Sequence, residues 1–225
     1  MTLRKIWPIN PDANDDIPAS TRAYRQLEQM IVTLELAPSS VTTEGKLIRQ
    51  LGLGRTPIRE AIQRLAWEGL VEVRPRAGLA IAPLHAGDWL KGIDARRGVE
   101  VLMARSAARF AMQDAAVKFH DAALAMQKAV VASNVIAFLE ADKALDDALA
   151  QASDNPFAAR VAAPLQTQSR RFWYRYQADT GLSAAAARHM ALIKAILDGD
   201  PDSAGAESER LMKLLRGHAE SAAGL

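Results

Sequence analysis

Apolar positions in the first third of the chain keep a helical period, break it twice, and then switch to a period of two. Leu27, Met30, Ile31 and Leu34 recur at helical spacing, with Ser20 or Thr21 placed to cap the run. "LAPSS" (36–40) stops it, and Thr42 or Thr43 caps a shorter run through Lys46, Leu47, Ile48 and Leu51. After "LGLG" (51–54), Thr56 is the predicted N-cap of a third helix with Pro57 at N1, where a missing N–H is harmless. Ile58, Ala61, Ile62 and Leu65 share one face of that helix, which runs to Trp67 and ends at Gly69. Leu70, Val71 and Val73 precede a Pro75–Gly78 turn and Leu79, Ile81 and Leu84 follow it, predicting two short strands. A break of about four residues between the second and third helices is the length of a helix-turn-helix connection. With the hairpin, residues 20–84 read as a winged helix-turn-helix, preceded by a loose, aperiodic arm over 1–19.

Beyond Asp88 the period of two does not return. The pattern predicts six helices: Asp88 to about Met112, Val117 to Ala132, Val135 to Ala152, Pro156 to Gln177, Ala184 to Leu197, and Pro201 to Glu220. Asn155–Pro156 and Asp200–Pro201 pair an N-cap residue with an N1 proline and are the firmest boundaries. The expected fold is therefore mainly α: an N-terminal winged helix-turn-helix, then an all-helical antiparallel bundle over 85–225.

Composition adds limits. Cysteine is absent from the 225 residues, which excludes disulfides and thiolate metal sites. No apolar run of signal-peptide type follows Lys5, and no segment approaches the ~20 apolar residues of a membrane span, so the expectation is a cytoplasmic protein without a membrane partner. The net charge is only +2, but its distribution is uneven. Between positions 46 and 76 lie seven basic residues (Lys46, Arg49, Arg55, Arg59, Arg64, Arg74, Arg76) against three acidic ones (Glu60, Glu68, Glu72).

Two of those arginines, Arg55 and Arg59, stand at the entrance of the third helix, where a cation opposes the helix dipole. Duplex DNA supplies a reason for them: the N-terminal end of a recognition helix enters the major groove, where Arg binds guanine or phosphate. Thr56 and the first backbone N–H groups add phosphate donors, Gln63 lies one turn further on the outward face, and Arg74 and Arg76 flank the wing turn. Taken singly, each of these arginines reads better as a solvated surface residue; together, at the helix entrance and the hairpin tip, they point to DNA.

In the helical half, the 135–152 helix places Asp142 near the centre of its apolar stripe and Asp146 within it. His189 sits among Leu182, Leu192, Ile193 and Ile196 on its own helix. Inward carboxylates at i, i+4 need pairing, protonation or a bound cation. An internal ligand or metal site would use three such groups; an Arg97, Arg105, Arg170 or Arg171 partner would satisfy them equally well.

"LIRQLGLGRTPIREAIQRLAWEGLVEVRPRAG" closely resembles the signature of the GntR transcription regulators, and the helical half resembles the six-helix FCD effector domain of their FadR-type subgroup. The resemblance covers about residues 20–220 and implies DNA contacts by Arg55, Thr56, Arg59 and the wing residue Gly78, with Arg49 at a more variable position. Ser39 and Gly45 depart from the family pattern. The resemblance also implies a divalent metal of the zinc, nickel or manganese class, held by one Asp and three His near a small carboxylate effector. Here the four positions fall on Asp142, Asp146, His189 and Leu211, so the set is incomplete. Arg97, with Glu100, matches the family's Arg-x-x-Glu and is the implied carboxylate clamp; Arg171 in "SRRFWYRY" (169–176) is a further effector candidate.

These readings converge on a homodimeric transcription regulator, expected to repress, that binds a palindromic operator and answers to a small organic acid. Two alternatives stay open: a DNA-binding dimer with a closed, ligand-free helical core, and a metal-dependent helical-bundle enzyme carrying a winged appendage.

Overall fold

A computed structural model describes residues 17–110, 113–176 and 181–224. The arm expected over 1–19 lies, as far as residue 16, outside the described residues, as do the expected helix ends at Met112 and Gln177. The chain divides into two compact units, one holding the residues up to Ile31 and Leu36–Ala82, the other Val32–Glu35 and Pro83 onward.

The first unit is built from α1 (Ala19–Val32), β1 (Val41–Thr42), α2 (Glu44–Leu51), α3 (Arg55–Trp67), β2 (Val71–Arg74) and β3 (Gly78–Ile81). Helix α1 starts before the expected cap residues: the Arg22 N–H already donates to the Pro18 carbonyl, at 3.1 Å. Helix α2 is capped at both ends. The Thr43 hydroxyl accepts from the Lys46 N–H, and Gly52, in the left-handed region, donates to the Ile48 carbonyl.

The start of α3 corrects the sequence reading. Gly54, not Thr56, is the N-cap, with no side-chain cap bond, so Thr56 and Pro57 fall inside the first turn. Pro57 remains compatible because first-turn N–H groups have no intrahelical partner. At the other end Gly69, with φ 72°, follows the last turn, and the Leu70 N–H returns to the Leu65 carbonyl at 2.9 Å.

The sheet also holds one strand more than the two expected. Its order is β1-β3-β2, all antiparallel, with Val41 opposite Ala80 and Val71 opposite Ile81. A strand of two residues is too short to show a period. Leu27, Ile31, Leu47, Ile58, Leu65, Leu70 and Ile81 form the core that the three helices and the sheet share.

The second unit contains α4 (Ala86–Phe110), α5 (Gln113–Val131), α6 (Val135–Ala152), α7 (Pro156–Tyr176), α8 (Gly181–Leu197) and α9 (Pro201–Ala223). The expected caps are in place: Asn155 accepts from the Ala158 N–H, and Asp200 from Asp202 and Ser203; Asn134, not singled out from sequence, also accepts from the Ala137 N–H. Helix α4 packs on α9 and α7, α5 on α6 and α8, and α8 on α9. Alanines 104, 107, 122, 141, 148, 162, 185 and 204 are all buried, which lets the helices approach closely around Met103, Phe119, Met126 and Phe138. Trp89 stacks on Phe172 with ring centroids 5.8 Å apart, fixing α4 against α7.

Candidate nucleic-acid interface and internal polar cluster

Burial of Ile58, Ala61, Ile62 and Leu65 sets the rotation of α3 and leaves its opposite face outside. Thr56 and Gln63 are exposed there, and the Arg55 and Arg59 side chains keep 73% and 59% of their surface accessible. Sequence reasoning missed the residue that organises them. Glu44, at the start of α2, accepts from Arg59 Nε at 2.8 Å and lies 3.6 Å from Arg55 Nε. The only signal for it was an acidic residue in a basic stretch, which gives no hint of a contact fifteen positions away.

Arg49 is exposed on the last turn of α2. On the wing, Arg74 Nη2 bonds Glu72 at 2.8 Å, and Arg76 occupies the tip with φ 65°. Gly78 opens β3 with φ 94°, and a Cβ added there would stand 2.5 Å from the Thr42 carbonyl oxygen. Within this unit the structure thus presents a helix entrance and a hairpin tip that both carry exposed arginine.

The second unit gathers the inward carboxylates into a network with α4, α7 and α8. Arg170 Nη1 donates to Asp142 Oδ2 at 3.2 Å and also to Asp146 Oδ2, while Nη2 donates to Thr167 Oγ1 at 3.1 Å. Gln166 Nε2 donates to the other Asp146 oxygen at 3.0 Å. His189 Nε2 lies 3.0 Å from Asp142 Oδ1, and its Nδ1 lies 2.7 Å from the Ala185 carbonyl oxygen. Both ring nitrogens therefore face acceptors, which favours the imidazolium. In agreement, burial, the largest single influence, lowers the His189 pKa, but the hydrogen bond and charge of Asp142, with the Ala185 carbonyl and the Asp146 charge, together raise it. Burial opposes ionisation of Asp142, but the His189 hydrogen bond and charge and then Arg170 prevail and lower its pKa. Burial first, and the Asp142 charge second, push Asp146 upward. Arg96 Nε bonds Glu100 Oε1 at 2.6 Å, and both side chains are buried.

A cavity of about 20 Å³ adjoins this network, lined by Arg96, Asp142, Ser169, Arg170, Trp173 and His189 among others. That is room for about one water. The buried indole Nε1 of Trp173 has no hydrogen-bond partner among the described residues.

Two expected effector residues stand elsewhere. The Arg97 side chain is 61% accessible and bonds Glu209 Oε2 at 2.6 Å; its neighbour Arg96 is the inward arginine, because one residue turns a helix face by about 100°. Arg171 is fully buried, donates to the Pro83 carbonyl at 3.4 Å, and is not among the cavity-lining residues; burial lowers its pKa to about 10. Arg170, one of four arginines able by sequence to answer the carboxylates, is the one that does.

The residues that the resemblance assigns to a metal do not fit one. The guanidinium of Arg170 joins the two carboxylates, Leu211 is buried at the fourth position, and the acidic residue one turn before it, Glu207, is engaged by Arg188 and Arg210. Among the described residues no group of three or more His, Asp or Glu is arranged to hold a metal ion.

Comparison with known proteins adds independent findings. Residues 19–81 match the family described as "Bacterial regulatory proteins, gntR family", and residues 92–214 match the FCD domain. An uncharacterized HTH-type transcriptional regulator from the TAR-I ttuE-ttuC' intergenic region of Agrobacterium vitis is 30% identical over 151 residues, 63% of this chain and 86% of that protein. A probable D-xylose utilization operon transcriptional repressor of Paenarthrobacter nicotinovorans is 26% identical over 198 residues, 86% of this chain and 87% of that protein. A shorter match, 49% identical over 55 residues, spans only 23% of the relative concerned. Among solved structures, E. coli McbR/YncC shares the fold with a TM-score of 0.74 at 16% identity, over 88% of this chain and 94% of that one.

Proposed function

The chain belongs to the bacterial regulatory proteins of the gntR family and carries an FCD domain, and on that premise we propose how it works. It is a repressor that binds a palindromic duplex operator as a homodimer in the cytoplasm and is controlled by a small organic acid in its helical unit. It is a regulator and not an enzyme, as its family and relatives are.

One observation carries the DNA reading: Arg55 and Arg59 share the exposed entrance of α3, the end of a recognition helix that meets base edges. Arginine there binds guanine in bidentate fashion or clamps phosphate. Their contacts to Glu44 hold the guanidinium groups ready without locking them, since an exposed ion pair is worth at most about 1 kcal/mol. Arg74 and Arg76 at the wing, Arg49 on the last turn of α2 and Gln63 one turn past Arg59 are further candidates for the same contacts. The repressor described in Paenarthrobacter nicotinovorans supports repression as the mode of control.

For the effector, the cavity brings together the cationic side chains of Arg96, Arg170 and His189 and the Trp173 indole N–H, a set suited to a carboxylate. The cavity holds about one water, so an acid binds a more open arrangement and shifts the population toward it. A second reading is favoured by the contacts of Arg170 with both aspartates: a dimer whose helical core stays closed and takes no ligand.

The test is operator affinity, measured by fluorescence anisotropy on a duplex selected from a random pool. Arg59→Ala is expected to weaken binding roughly 10- to 100-fold, the discrimination of one good arginine–base pair. Unchanged affinity would overturn the assignment of α3. The same assay with small carboxylic acids added separates the two readings of the helical unit: a changed affinity supports control, and an unchanged one supports the closed core.

A further inference from the structure

The cation at the centre of the helical unit is a side chain. We infer that the guanidinium of Arg170 takes the place of a divalent metal, and that this unit assembles and stays stable without one.

Four observations meet in that inference. First, Arg170 spans the two carboxylates from α7, reaching Asp142 at 3.2 Å and Asp146 through the same Nη1, while Nη2 is held by Thr167. A metal bound to both aspartates would have to displace it. Second, His189 Nε2 is turned to Asp142 at 3.0 Å and Nδ1 to the Ala185 carbonyl at 2.7 Å, so in this arrangement neither ring nitrogen faces open space. A metal ligand must be a neutral imidazole with one free nitrogen. Third, the charges already balance closely. Arg96 and Arg170 face Glu100, Asp142 and Asp146, one proton makes that set neutral, and a divalent ion would add two positive charges to it. Fourth, the fourth position is Leu211, buried at 3% exposure in the apolar core.

The consequence is a change in recognition chemistry. A ligand entering here meets the guanidinium groups of Arg96 and Arg170, the His189 ring and an indole N–H beside the Asp142 carboxylate, and is held by hydrogen bonds rather than by chelation. Chelators leave such a site intact.

The inference stands apart from the operator reading, because its readouts are metal content and thermal stability. The chain, expressed without a histidine tag, is analysed for metals by mass spectrometry, and its thermal midpoint is followed by circular dichroism with and without EDTA. The expected result is far less than one metal per chain and a midpoint that EDTA does not move. About one metal per chain, with a midpoint lowered by EDTA, would overturn the inference. Arg170→Ala leaves two buried carboxylates without their cation, and its midpoint is expected to fall by roughly 6–12 °C. A midpoint equal to that of the unaltered chain would also count against it. Should Arg170→Ala fail to fold, Arg170→Lys and Arg170→Met decide: the charged variant is expected to melt higher, and equal melting would remove the guanidinium from its assigned role.

Discussion

Asp146 binds a proton more tightly than an ordinary carboxyl group does. Burial and the neighbouring charge of Asp142 raise its pKa from 3.8 to about 7. The groups around it explain why: Arg96 and Arg170 supply two positive charges, and Glu100, Asp142 and Asp146 supply three negative ones. One further proton neutralises the set, shared between Asp146 and His189, both of which are shifted upward. The folded chain then binds more protons than the unfolded chain above about pH 4. This contribution to stability is complete below the unfolded Asp146 value and is lost as pH rises through about 7. Asp142, with its lowered pKa, works in the opposite window, adding stability above the unfolded value and losing it in acid. Thermal melts between pH 5.5 and 8.5 should therefore show a midpoint that falls with pH. In Asp146→Asn the fall should be shallower, yet not abolished, because burial also raises Glu140 to about 7. Equal slopes in the two proteins would place the proton elsewhere.

Among the elements, the wing depends on one backbone position. Gly78 combines φ 94° with a Cβ position 2.5 Å from the Thr42 carbonyl oxygen, so β1 and β3 can pair only if residue 78 lacks a side chain. Gly52 has a similar φ, 66°, but open space around it. Alanine at 78 is expected to cost about 3 kcal/mol in urea unfolding, and alanine at 52 about 1 kcal/mol. Equal costs would show that the close approach to Thr42 is not what constrains the wing. The same glycine was singled out from sequence through the family resemblance, as a DNA contact. The strand it packs against was not foreseen, because Val41–Thr42 has no period of its own and exists only by pairing with β3. Caps were more legible. Thr43, Asn155 and Asp200 act where their chemistry predicts, since a cap bond spans only two or three residues. Thr56 misled because Gly54 offered an extended N-cap two residues earlier.

At the scale of the whole molecule, each unit closes its own apolar core, and among the described residues no helix is long and apolar enough to cross a membrane. A chain region with a complete core can fold without its neighbour. The fragment 83–225, which holds the second unit except Val32–Glu35, is therefore expected to be helical and to unfold in one cooperative transition, read by circular dichroism against temperature. A fragment without a cooperative transition would show that the helical unit needs the rest of the chain. The change of period near Asp88 made this division legible in the sequence, because each fold type buries its apolar residues at a characteristic spacing.

What the amino-acid sequence determined by itself is local or periodic. It set the helices, most of their caps, the outward placement of Arg55 and Arg59, and the inward placement of Asp142, Asp146 and His189, because each follows from neighbours within one or two turns. Only the tertiary structure decided which partners those groups meet. Glu44 reaches Arg59 across fifteen positions, Arg170 reaches Asp142 across twenty-eight, and Arg96 rather than Arg97 turns inward because α4 is rotated by its packing against α7 and α9. Charge pairing across helices depends on their relative rotation to within one residue, and that rotation is set by the whole core rather than by any stretch of the sequence.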